Sequence, residues 1–97
     1  MDKLLVRGVN APQDAEVVST EEFITLAFDQ ISAISLDLSF SKESGEVLEG
    51  MSDMLELMKA ILIAKNINPI NLFVTAEKLR SEEGTFSDKK AVQQEQE

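Results

Sequence analysis

The apolar positions of the chain fall into three helical stretches preceded by an arm without helical period. From Glu21 to Leu38, the residues Phe23, Ala27, Ile31, Ile34 and Leu38 recur on one face at about 3.6 residues per turn, and Ile24 and Phe28 widen that face. Ser19 and Glu22 have the spacing of a capping box, which predicts the start of this helix. Ser35, Ser39 and Ser41 favour turns, and residues 39–45 read as a loop. A second helix is predicted from Glu46 to Lys65, with Val47, Met51, Met54, Leu55, Met58, Ile61 and Leu62 as its apolar stripe and Asn66 and Asn68 closing it. Asn68-Pro69 signals a third helix, with Asn as the N-cap and Pro at the first helical position, where its missing N–H costs nothing. That helix carries Ile70, Phe73, Ala76 and Leu79, and Gly84 stops it.

Upstream, Met1 to Val18 lack helical period. Leu4, Leu5, Val6 and Val9 suit a short extended arm that Gly8, Asn10 and Pro12 interrupt, and Val17 and Val18 form a second apolar patch. Residues 87–97 are polar and read as a frayed tail. The expected architecture is all-α: two long antiparallel helices, a shorter third, and an extended N-terminal arm. It makes one domain over residues 1–86. A core at this length is modest. Apolar surface left over on the first helix, including Ile24, Phe28 and Leu36, predicts completion as a homodimer or homotetramer.

Composition narrows the chemistry. The 97 residues contain no Cys, His, Trp or Tyr, so the sequence offers no thiol nucleophile, disulfide or imidazole base. No apolar run approaches the length of a membrane span, and the apolar stretch near the start is too short for a signal-peptide core. A cytoplasmic location is the expectation. The net charge is −9 and the nine basic residues are scattered. That argues against nucleic acid, which needs a clustered basic surface, and permits divalent cations or a basic partner; the acidity can equally serve solubility alone.

The acidity has a pattern on the second helix. Glu46, Glu49, Asp53 and Glu56 are spaced 3, 4 and 3 residues apart and fall within a sector of about 80°. Carboxylates stacked a turn apart can chelate Mg²⁺, a hard ion that takes oxygen ligands. They can equally be the solvated face of an amphipathic helix. Met51, Met54 and Met58 admit two readings as well, an adaptable binding groove or core filler.

The segment Met51-Ser52-Asp53-Met54-Leu55-Glu56 resembles the "E-L-A-D-V-L-E-V" helix of the all-α nucleotide pyrophosphohydrolases, the MazG-like and phosphoribosyl-ATP pyrophosphohydrolase-like proteins. Lys78, Arg80, Gly84 and Phe86 resemble the "K-K-R-x-x-R-G-G-F" end of their last helix. Lys3-Leu4-Leu5-Val6-Arg7 looks like a "K-L-V-R-D" opening with one residue inserted, and Val18 to Phe23 looks like the lead into the first helix. The resemblance spans nearly the whole chain in short, degenerate pieces. It implies a MazG-like helical bundle that assembles as dimers or tetramers. It also implies hydrolysis of nucleoside triphosphates between the α and β phosphates, with Mg²⁺ held by E-E-x-x-E and E-x-x-D motifs and phosphates held by basic residues of the last helix, here Lys78 and Arg80.

The departures fall on the metal motifs. Asp29-Gln30-Ile31-Ser32-Ala33 stands on E-E-x-x-E, and Gly50-Met51-Ser52-Asp53 on E-x-x-D. Gln30, Ala33 and Gly50 replace three expected ligands, and Asp53 remains. A rearranged site would draw on Asp53, Glu49, Asp29 and Glu56. Two functions stay open: a divergent Mg²⁺-dependent pyrophosphohydrolase, and a non-catalytic module for oligomerisation, nucleotide sensing or protein interaction.

Overall fold

A computed structural model describes residues 3–40 and 42–94. Ser41 of the expected loop, Met1 and Asp2 of the arm, and the last three residues of the tail lie outside the described residues. Among the described residues the protein is all-helical: α1 Thr20–Leu38, α2 Ser44–Ala64 and α3 Ile70–Glu83, with one 3₁₀ turn at Gly8–Asn10 and no strand. No helix is long and apolar enough to cross a membrane.

Local chemistry explains the boundaries. The Ser19 hydroxyl accepts from the Glu22 amide at 3.1 Å, one half of the expected capping box. The other half is diverted, because the Glu22 carboxylate accepts from Lys3 at 2.7 Å. The second helix begins two residues earlier than expected, so Gly45 lies inside it. Its end is a Schellman turn. Asn66 sits in the left-handed region at φ 63°, the Ile67 amide donates to Leu62 O at 2.8 Å, and the Asn66 amide donates to Ile63 O at 3.0 Å. Asn68 then caps α3 through Oδ1, which accepts from the Ile70 amide at 3.0 Å. Pro69 already has helical dihedrals. Gly84 closes α3 at φ 86°, where a Cβ would be strained.

The one substantial packing between helices is α1 against α2, an antiparallel hairpin. Leu38 near the end of α1 lies on Gly50 in the first half of α2; a Cβ at Gly50 would fall 2.8 Å from Leu38 Cδ1. The glycine thus has a packing reason. It lets Leu38 rest on the backbone of α2, which offsets the roughly 1 kcal/mol helix penalty of glycine. Ala27 (0% exposed), Leu26 and Ile61 are the buried apolar residues. Leu26 falls outside the stripe expected for α1, and the arm accounts for its burial: Leu4, Leu5 and Val6 share a cleft with it.

This core is thin. The Cα radius of gyration is 16.3 Å, against about 12.5 Å for a compact chain of this length. No residue of α3 is buried.

Candidate functional site

The acidic strip of α2 lies along one edge of the hairpin, and the arm crosses it there. Ala27 faces α2, and Gln30, three residues on, lies on the arm side of that direction. The Gln30 carboxamide grips the backbone of Leu5 in both directions: Leu5 N donates to Oε1 at 3.0 Å, and Nε2 donates to Leu5 O at 3.1 Å. Two residues along the arm, Arg7 Nη2 donates to Asp53 Oδ1 at 2.7 Å. That hydrogen bond, with the charge behind it, raises the Arg7 pKa above its ordinary value. At the other end of the arm, Lys3 Nζ lies 2.8 Å from Glu16 and 2.7 Å from Glu22. The hydrogen bonds to Glu16 and then Glu22 push its pKa up. Both cations stay charged throughout the neutral range.

Two open clefts flank this strap. One, about 400 Å³, has Phe23, Ile34, Leu57 and Ala60 as an apolar floor, with Arg7, Gln30, Asp53 and Glu56 among its polar walls. The other, about 510 Å³, runs between Ala33, Asp37 and Leu38 on α1 and Glu46, Glu49 and Gly50 on α2.

The residues named for a rearranged metal site part company. Glu49 and Asp53 line the second cleft together. Glu56 borders only the first of the two and sits 3.6 Å from Lys59. Asp29, two residues after the fully buried Ala27, is about 160° from that buried direction and is exposed. Among the described residues no group of three acidic side chains converges on a point where a metal could be held. The donors present do not fit a Mg²⁺ site: Gln30 is engaged with Leu5, Ala33 and Gly50 offer no side-chain oxygen, and Asp53 carries Arg7.

The proposed phosphate residues lie elsewhere. Arg80 makes a fork to Glu77 on its own helix, at 3.0 and 3.3 Å. Lys78 is exposed beside it. Neither residue lines the two clefts at Asp53.

Sequence reasoning missed the anchoring of the arm. Gln30 is a polar residue beside the apolar face of α1, a signal that it holds something. Its partner is a backbone, which no side-chain pattern reveals. Arg7 and Asp53 are 46 positions apart, and nothing in their local sequence links them.

No family model matches the chain, and neither a curated protein nor a solved structure matches it.

Proposed function

We propose that this chain is a non-catalytic helical oligomerisation module built on a MazG-like scaffold. The observation that carries the reading is the strap: at the positions where the resemblance calls for metal ligands, Gln30 is bonded to the Leu5 backbone and Asp53 to the Arg7 guanidinium. A guanidinium on Asp53 supplies positive charge where a metal would have supplied it. It has no vacant coordination position with which to polarise a phosphoryl oxygen or activate a water. The exposed apolar residues on the rest of the hairpin support homo-oligomerisation as the retained role, since a thin core is completed by burying such surface against another copy.

The test is a pyrophosphate-release assay over common and modified nucleoside triphosphates with Mg²⁺ or Mn²⁺. The reading predicts no release above the uncatalysed rate and no thermal shift with metal plus nucleotide at millimolar levels. Release that disappears in Asp53→Ala would overturn it in favour of a divergent pyrophosphohydrolase that uses Asp53 with Glu49, Asp29 or Glu56.

A further inference from the structure

Helix α2 carries two apolar seams, and the second is covered only in part within the chain, with Leu62 half-buried at its end. The inner seam is Val47, Gly50, Met54, Leu57, Ile61 and Ala64, spaced 3, 4, 3, 4 and 3, and every member is half-buried or buried. The outer seam is Leu48, Met51, Leu55, Met58 and Leu62, spaced 3, 4, 3 and 4. Leu48 is 70% exposed, Met51 55%, and Leu55 and Met58 38% each. Alternation of three and four is the heptad pattern of a seam that packs against another helix. The outer seam is centred about 110° around α2 from Gly50, on the opposite side from Asp53 and the strap. Half-exposed Phe28 on α1 lies on that same face of the hairpin, since it is rotated away from Ala27 in the sense opposite to Gln30.

We infer that this face binds a second copy of the same chain, with the two α2 helices antiparallel about a two-fold axis at Leu55. Three observations support the choice of occupant. First, the outer seam reads Leu-Met-Leu-Met-Leu in both directions from Leu55. Antiparallel pairing therefore sets Leu48 opposite the second copy's Leu62 and brings Met51 within one residue, about 1.5 Å of helix rise, of its Met58, so the surface is close to complementary to itself, as an isologous interface requires. Second, the charge permits it. The chain carries −9, yet Glu46, Glu49, Asp53 and Glu56 form a sector centred about 170° from the seam, with Glu56 the nearest at about 130°. The polar residues bordering the exposed side of the seam are Ser52 and Lys59, so two acidic chains can meet here without bringing those carboxylates together. Third, the area suffices. The accessible surface is 8456 Å², against about 5,500 Å² for a compact monomer of this mass. Obligate dimers bury roughly 2,000–5,000 Å² in total, so the surplus, which counts the exposed α3, arm and tail with the seam, is larger than one copy's smallest share of such an interface.

The inference rests on the homo-oligomer reading above but can fail separately. The chain has no Cys, so single-cysteine variants of the full chain report cleanly. Leu55→Cys and Leu48→Cys are each treated with a short bis-maleimide, and the mass of the untreated wild type is measured by sedimentation equilibrium. The expected result is a dimeric wild type, efficient covalent dimer from Leu55→Cys, and none from Leu48→Cys, whose thiols would stand about 21 Å apart along antiparallel helices. Leu55→Glu, which alters an exposed position, should keep its helical circular dichroism and weaken association at least 100-fold. A dimer that cross-links through position 48 overturns the antiparallel arrangement. A dimer that fails to cross-link at 55 and survives Leu55→Glu overturns the seam while leaving the oligomer reading in place. A wild type that stays monomeric at high micromolar concentration overturns both.

Discussion

The two faces of the α1–α2 hairpin differ in where their interactions end. On the arm face, Lys3, Gln30, Arg7 and Asp53 find partners within the same chain, at 2.7 to 3.1 Å. On the opposite face, Leu48, Met51 and Phe28 are all more than half exposed. The difference shows how a short helical chain can close a polar site with its own terminus and still leave its apolar surface unburied. Charges and amides are satisfied by one well-placed partner each. Apolar area needs a surface of matching extent, and a thin arm cannot supply one.

The comparison can be broken at four points. Ile61→Ala should have the largest effect. It removes a buried side chain of the inner seam, in a hairpin with few others, and should cost about 2–5 kcal/mol, read as a lower denaturation midpoint. Leu55→Glu should leave that midpoint near the wild-type value when both proteins are studied as monomers. It should weaken association at least 100-fold, about 2.7 kcal/mol, in sedimentation. Two glycines should then respond with opposite signs. Gly45→Ala meets nothing within 4 Å and should stabilise by roughly 0.5–1 kcal/mol. Gly50→Ala places a Cβ 2.8 Å from Leu38 Cδ1, and overpacking of about 1–3 kcal/mol should outweigh the gain in helix propensity. Thermal melts of the pair decide this. Arg7→Ala should be the mildest. It frees one end of an exposed strap, so amide exchange should speed up in residues 3–10 with no change in the global midpoint.

Much of the architecture was legible in the sequence because its signals are local. Ser19 caps α1, Asn68-Pro69 opens α3 and Gly84 ends it, and each acts on backbone groups within a few residues. The α2 stripe was legible as apolar but not as two seams. Val47, Met51, Met54, Leu55, Met58, Ile61 and Leu62 span more of the helix circumference than one neighbour covers, and only the placement of α1 separates the half-buried Met54 and buried Ile61 from the exposed Met51 and Leu55. The role of Gly50 was hidden for the same reason. As a sequence feature it is a flaw in a helix, and its cause is a leucine twelve positions earlier. The strap at Asp53 was out of reach, because Arg7 and Leu5 are brought to it by tertiary folding alone.

By the inference drawn above, the arm face closes within one chain and the bare face is covered by a second copy. Sedimentation equilibrium of the wild type, Arg7→Ala and Leu55→Glu, at matched concentrations, tests it most directly. The expected result is a dimer for the wild type and for Arg7→Ala, and a monomer of 10.7 kDa for Leu55→Glu. A monomeric wild type, or a dimer that dissociates on losing Arg7 and persists with Glu at position 55, would contradict it.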